Sequence, residues 1–324
     1  MLLPNLGIDI AKLKFNICLF NMGGKLKHKV FPNTEVGFRQ LDAWLSKQGV
    51  QRVHACMEAT GAYGEALALH LHTTGHTVSI VNPAAIKAFA GSRLSRTKTD
   101  RVDAELIARF CRAQQPPAWT PPAIEVRHLQ ALVRRLQSLV EIRTMESNRL
   151  AALITVDVVK SSVEAHIAYL DQQIKQTEAL IRTHINDHPT LKQQSDLLDS
   201  IPGIGGATAA VLLAEITDIT QYESARQVAA YAGLVPRERH SGSSVRGRTR
   251  LSKIGNARLR KALYFPAITA LRCSAFFKTW AEGLRQRGKC KMSVIGAAMR
   301  KLIHLAYGVL KTGRPFDPEW GKTA

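Results

Sequence analysis

Apolar and polar residues alternate through Leu6-Gly-Ile-Asp-Ile10, Phe15 to Phe20 and Val30-Phe31, the two-residue period of half-buried strands. Gly23-Gly24 lies between the second and third runs as a hairpin turn, so three antiparallel strands are predicted at the start of the chain. The period then lengthens: Phe38, Leu41 and Leu45 share one stripe of a helix from Glu35 to Lys47. A strand from Arg52 to Met57 follows and ends at Glu58, giving the order β-β-β-α-β. Residues 61–74 predict a helix and Thr77 to Val81 another strand, which Asn82-Pro83 breaks. After a polar, basic loop from Ser92 to Thr99, Asp100 opens a helix that runs to about Ala113.

The run from Gln115 to Pro122 holds four prolines and predicts a stiff, extended linker, so a first domain is expected over 1–115. Beyond it Leu129, Leu132, Leu136 and Leu139 recur at alternating spacings of three and four. Val163, Ile167, Leu170, Ile174 and Ile181 do so again, with Thr177 interrupting. These heptad seams predict two long helices over 123–190, which either fold back as one hairpin or form a coiled coil between subunits. A third domain, 195–324, begins with Ser200-Ile-Pro-Gly-Ile-Gly-Gly206 ahead of a small-residue helix from Ala207 to Ile216. That pattern fits a helix-hairpin-helix, in which Gly203 and Gly205 would expose N–H groups to a nucleic-acid backbone, with a purely structural turn as the lesser alternative.

Charge sharpens the picture. Residues 237–324 hold 20 Lys and Arg against 4 Asp and Glu, which is +16 of the chain's +20. An excess of one sign this dense points to a polyanion, and nucleic acid is the common one. Within it, Pro236 to Arg250 forms an arginine-serine loop: Arg237, Arg239, Arg246, Arg248 and Arg250 surround Ser241, Ser243 and Ser244. Arginine forks pair with phosphate oxygens, and a serine hydroxyl there either donates a hydrogen bond or attacks phosphorus. Lys253 and Arg258, then Lys289 and Lys291, extend the expected phosphate contacts. Phe276-Phe277 and Trp280 read as core, so backbone contact is expected over base readout. No apolar run approaches a membrane span and no signal-peptide pattern opens the chain, so a cytoplasmic protein without a membrane partner is expected. Cys18, Cys56, Cys111, Cys273 and Cys290 are scattered, which disfavours a disulfide framework or a zinc site.

The acidic residues carry the candidate chemistry. Asp9 points to the face opposite Ile8 and Ile10, Glu58 ends the fourth strand, and Asp100 and Asp103 share one helical face. At a helix start the last two also serve as cap and dipole partners, which alone accounts for them. All four together would converge at one end of a ribonuclease-H-like sheet. A carboxylate-only set without histidine suits Mg²⁺, and two such ions can clamp both oxygens of a phosphodiester transfer.

Five stretches in one chain carry a specific likeness: Gly7-Ile-Asp9-Ile-Ala-Lys12, Met57-Glu58-Ala-Thr-Gly61, Lys98-Thr-Asp100-Arg-Val-Asp103-Ala, Ile201-Pro-Gly-Ile-Gly205 and Ser241-Gly-Ser-Ser-Val-Arg-Gly247. In order and along nearly the whole length, the chain closely resembles the DEDD transposases of the insertion-sequence "one-ten" family, recombinases guided by a bridge RNA. The resemblance implies an α/β ribonuclease-H-like (resolvase-like) N-terminal domain, a helical coiled-coil dimerisation region, and a mainly α C-terminal transposase domain. It makes Asp9, Glu58, Asp100 and Asp103 the acidic tetrad and Ser241 the nucleophile, although chemistry alone leaves Ser243 and Ser244 open. His240 is either a base or a bystander. A homodimer assembling to a tetramer on target and donor DNA is implied, with a non-coding guide RNA choosing the sites. Two other readings stand beside it: a Mg²⁺-dependent junction nuclease without a covalent step, and a non-enzymatic nucleic-acid-packaging protein.

Overall fold

A computed structural model describes residues 3–59, 61–92, 99–152, 156–241 and 245–319, with the backbone alone along the hairpin residues 238–241 and 245–249. The chain divides into two compact units, Met1–Pro121 and Pro122–Ala324.

In the first unit β1 (Asn5–Ile10), β2 (Lys14–Phe20) and β3 (Leu26–Pro32) form the expected antiparallel meander. β4 (His54–Glu58) pairs parallel to β1 and β5 (Thr77–Val81) parallel to β4, so the sheet runs β3-β2-β1-β4-β5. The two-residue period sends Leu6, Ile8, Phe15, Ile17, Leu19, Ala55 and Met57 to one face. There they bury against Phe38, Leu41 and Leu45 of α1 (Glu35–Lys47) and Leu67 and Leu71 of α2 (Glu65–Thr73). Thr34 caps α1 by accepting from the Gly37 N–H, and Gly24, at φ +79°, makes the β2–β3 turn.

The opposite face is built from small residues. α3 (Pro83–Ser92), a helix absent from the sequence reading, starts with proline in its first turn, where the ring needs no N–H partner. α4 (Asp100–Gln114) lies over the sheet with Ala104 and Ala108 on Cys18, and Ile107 and Cys111 on Cys56. A Cβ on Gly7 would sit 2.2 Å from both the Ala104 carbonyl oxygen and the Ala108 nitrogen, so only glycine lets α4 come this close. At the far end Cys111 Sγ accepts from Asn5 Nδ2 (3.4 Å) and donates to the His54 carbonyl (3.6 Å), fixing the angle of α4 across the strands. Burial pushes the Cys18 thiol up to about 12, in keeping with an inert core cysteine. The proline run is less free than a linker. Trp119 N–H donates to Val78 O (2.6 Å) and Ser79 Oγ to Pro117 O (2.8 Å), which carries the first unit through to Pro121.

The second unit is helical apart from one hairpin. α5 (Ile124–Ala151) and α6 (Asp157–Asp187) fold back on each other within the chain, as the intramolecular alternative expects. Their pairing is antiparallel: Arg143 holds Asp171 (2.9 and 3.4 Å), Glu146 meets His166 (3.3 Å), and His184 Nε2 bonds Glu125 O (2.8 Å). Thr177, the interruption in the seam, is buried because its hydroxyl donates to Gln173 O at 2.7 Å. Val126, Leu129, Val133, Ile181 and Ile185 join one core with the helices that follow. Those are α7 (Pro189–Asp199), α8 (Gly206–Ile216), α9 (Ala225–Tyr231), α10 (Ala257–Ala262), α11 (Tyr264–Cys273), α12 (Ala275–Gln286) and α13 (Lys291–Thr312). By length and composition α13 could cross a membrane, against the expectation that no apolar run approaches such a span. Its Val294, Ile295, Ala298, Met299, Leu302, Ile303, Ala306 and Val309 instead form the centre of this core, and Phe277 is fully buried beside them.

Candidate nucleic-acid-processing site

The first half-site lies at one end of the mixed sheet. Asp9 shares the parity of Gly7, and Glu58 that of Cys56, so both belong to the face that carries α4. Ile8 pairs with Met57, which puts Asp9 and Glu58 at the same level on adjacent strands, just beyond the glycine on which α4 rests. From Ala104 one turn toward the N-terminus of α4 leads to Asp100, and about 6 Å of helix matches two residues of strand from Gly7 to Asp9. Thr99 caps α4 by accepting from Val102 N–H at 3.3 Å. Asp100 and Asp103 are therefore first-turn acids, not the cap.

Two residues that motif reasoning passed over hold Asp100. Lys14 Nζ lies 3.1 Å from Asp100 Oδ2, and Asn16 Nδ2 donates to the same oxygen at 3.4 Å. Asn16 is the sheet partner of Asp9, so a single amide links the strand acid's neighbour to the helix acid. The hydrogen bond from Lys14 holds the Asp100 carboxyl below its usual range. A lysine opening β2 carried no sequence signal, because its target is 86 residues away.

Carboxylates are the donors that suit a hard divalent ion. Among the described residues no three acidic, histidine or cysteine side chains stand close enough together to hold a metal. The register places Asp9 and Glu58 at one level of the face that carries α4, while Asp100, in the first turn of that helix, is turned to the Lys14 ammonium.

The second half-site corrects the sequence reading. The arginine-serine stretch is a two-stranded hairpin, β6 (Pro236–Ser241) and β7 (Val245–Leu251), with an irregularity between Arg237 and Arg239. Residues on either side of 242–244 pair as strands, a stronger local preference than an open loop. Ser241, paired with Val245, is the last residue of β6, while Ser243 and Ser244 lie outside the described residues. For Arg239, His240, Arg246 and Arg248 the structure describes register only: Arg239 opposite Gly247 and His240 opposite Arg246. Arg237 and Arg250, both exposed, face each other across the ladder. Like charges placed directly opposite destabilise a ribbon, and a bound phosphate removes that penalty.

The base of the hairpin is fixed firmly. Ser252 N–H bonds Val235 O (2.9 Å), and Arg260 Nη1 bonds the carbonyls of Ala232 and Lys253 (both 3.2 Å). Asn256 caps α10 through Leu259 N–H (3.0 Å) and donates to buried Glu215 (2.6 Å) and to Tyr231 Oη (3.2 Å). Gly255, at φ +136°, leaves no room for a Cβ, which would stand 2.3 Å from Tyr231 O. Arg260 is therefore part of the mount, while Lys253, at φ +57°, and Arg258 remain exposed.

The remaining expected contacts divide. Gly205 and Gly206 are exposed at the start of α8, with open space around them. Gly203 is a packing glycine: at φ +89° its missing Cβ would meet Pro266 O at 2.4 Å on α11. Lys289 and Lys291 are exposed at the turn between α12 and α13, where Lys289 N–H bonds Leu284 O (3.1 Å).

Family matches cover parts of both units. Residues 6–158 match the DEDD transposase family of the IS110 type, and residues 195–281 match the family described as transposase IS116/IS110/IS902. The chain is 38% identical over 316 residues to a pilin gene-inverting protein of Moraxella lacunata, covering 96% of this chain and 97% of that one. Its identity to the corresponding protein of Moraxella bovis is 37% over the same span. The transposase for insertion sequence element IS1328 of Yersinia enterocolitica is 27% identical over 359 aligned positions, 97% of this chain and all of the relative. A DEDD domain implies use of a divalent metal, and transposases act on DNA. The chain belongs to the IS110 family of insertion-sequence transposases and recombinases, which are DNA-processing enzymes.

Proposed function

We propose that this enzyme is an RNA-guided, site-specific DNA recombinase in which Asp9, Glu58, Asp100 and Asp103 hold Mg²⁺, as two ions, and Ser241 is the nucleophile. The observation that carries this reading is the shared end of one sheet face reached by Asp9, Glu58 and the first turn of α4, with a serine-tipped basic hairpin in the other unit. A divalent ion held by the carboxylates supplies Lewis-acid polarisation of the phosphoryl group and neutralises its developing charge. Ser241 Oγ attacks phosphorus, the bond from phosphorus to one deoxyribose oxygen breaks, and that oxygen takes up the proton the serine loses. The phosphoserine diester preserves the bond energy, and a hydroxyl of the exchanged strand later attacks it, restoring the phosphodiester and the serine. Arginines of the hairpin bind the phosphate, since a guanidinium fork matches two of its oxygens. Sequence choice passes to base pairing with a guide RNA. Subunits pair through the α5–α6 region and assemble as a tetramer on target and donor DNA in the cytoplasm, the acids of one subunit serving the serine of another.

Whether the exchange moves an element or inverts a segment depends on how the two sites are oriented. The 38% identity to pilin gene-inverting proteins favours inversion as a second outcome of the same chemistry. The deciding experiment incubates enzyme, guide RNA and labelled DNA with Mg²⁺ and resolves the products on a denaturing gel. Wild type should give a protein-DNA adduct, while Ser241→Ala should bind nucleic acid and give none. Cleavage by wild type without an adduct would replace this reading with a water-using junction nuclease. Loss of the adduct in Ser243→Ala or Ser244→Ala, with Ser241→Ala active, would move the nucleophile along the turn.

A further inference from the structure

α10 and α11 meet at Leu263, whose φ of −86° and ψ of −8° keep the chain in the right-handed helical region. Ala267 N–H donates back to Leu263 O at 3.0 Å, so the spacing of a helix carries across the junction. Leu259, Leu263, Ala267 and Ala270 face the core of the unit. On the other side Arg258, Lys261, Phe265, Thr269 and Arg272 succeed one another at intervals of three and four, and all five are exposed. Phe265 is 74% exposed, its ring edge-on to Tyr264 at 5.4 Å. Exposed Lys253 and Ile254 lead into this stripe from the end of β7.

A single large ring in a row of cations is a poor match for an apolar protein surface, which would strip water from Arg258 and Arg272 without offering them a partner. Lys261 already shares the Glu141 carboxylate at 3.0 Å, whereas among the described residues no carboxylate lies within ion-pair distance of the two arginines. A strand with unpaired bases satisfies every member of the row: phosphates meet the cations and the Thr269 hydroxyl, and a base face meets the ring. A duplex offers only the phosphates, because its base faces are already stacked.

We propose that the α10–α11 stripe, Arg258, Lys261, Phe265, Thr269 and Arg272, is a binding site for a single-stranded nucleic-acid segment, with Phe265 stacking on an unpaired base. The proposal rests on the reading of the second unit as a nucleic-acid-binding unit. The stripe starts six residues after β7 ends, so a strand lying on it is led from the foot of the serine hairpin. Binding of labelled oligonucleotides to the full chain tests it, using single-stranded DNA, single-stranded RNA and duplex DNA of one sequence. Phe265→Ala should weaken single-strand binding about ten-fold and change duplex binding less than two-fold. Phe265→Trp should keep the affinity and lose tryptophan emission on adding the single strand; Phe265→Leu should behave like alanine. The RNA and DNA arms show which of the two the stripe prefers. Equal loss on duplex and single strand, or full affinity in the leucine variant, overturns the stacking role. A fall in molar mass by light scattering in Phe265→Ala, with single-strand binding intact, would assign the ring to a protein interface instead. If wild type binds no oligonucleotide, the underlying reading of the unit fails; if wild type binds and Phe265→Ala binds equally well, only this inference fails.

Discussion

The two half-sites hold their key residues in opposite ways. At the acidic end, side chains stand on the ends of the central strands β1 and β4 and on the first turn of α4, which packs on them through one face. Their spacing follows from strand register and from the contact of α4 with Gly7, so moving one acid means moving the sheet. Ser241 instead ends one arm of a ribbon that is two-stranded among the described residues and is held at its foot by Arg260, Asn256 and Glu215. Metal ligands need fixed mutual positions, and a sheet face supplies them. On the proposed reading, a nucleophile that forms and later releases a bond to DNA needs reach, and a ribbon on a firm base gives it.

If the acidic end is chemical and not structural, removing charge there should abolish activity at little cost to folding. Asp9→Asn or Glu58→Gln is expected to reduce strand exchange by at least about 10³-fold, on the scale of lost transition-state electrostatics, with binding and melting temperature retained. Chelation of divalent ions should act likewise and reverse on adding Mg²⁺. A variant whose melting temperature falls in step with its activity would make the acids structural.

The packing difference predicts the next largest effect. Gly7→Val places a side chain where Ala104 O and Ala108 N stand at 2.2 Å, and should cost about 3 kcal/mol in denaturant unfolding, with activity lost as α4 shifts. Gly205→Ala, facing open space, should stay within about 0.5 kcal/mol of wild type. Equal costs at both positions would mean that α4 does not rest on β1 as described.

Smaller effects sharpen the account of the basic side. Lys289→Ala with Lys291→Ala should lower the salt slope of nucleic-acid binding by roughly 1 to 2, without preference for sequence. An unchanged slope removes that turn from the footprint. Arg250→Glu should stabilise the free protein by a few tenths of a kcal/mol, because it replaces an arginine facing Arg237, yet weaken binding. Opposite signs in melting and affinity would show that the ribbon carries its repulsion for the sake of phosphate; a fall in both would assign Arg250 to the fold.

Much of this was legible locally. Alternation marked the strands of the first unit, and α1 and β5 fall on the residues their periodicity indicates. Asp9 could be placed opposite Ile8 and Ile10 because strand parity is a property of neighbouring residues, whereas its level with Glu58 came from the pairing of β1 with β4. The α5–α6 seams also predicted their helices, although the same heptads serve a hairpin or a dimer, and only the antiparallel contacts of Arg143 with Asp171 show the hairpin within the chain. α3 was missed because Asn82-Pro83 signals both the end of a strand and the start of a helix.

The sequence by itself determined the family, the order of the strands in the first unit and the inventory of acids, arginines and serines, since each rests on residue type and short spacing. Tertiary structure alone decided that Gly7 admits α4, that Gly203 packs on α11 while Gly205 stays open, that Lys14 and Asn16 hold Asp100, and that the arginine-serine stretch is a ribbon mounted on Arg260 and Asn256. Each of these joins groups far apart in the chain, and close approach between distant segments is set by what the intervening core leaves room for, a quantity no local pattern contains.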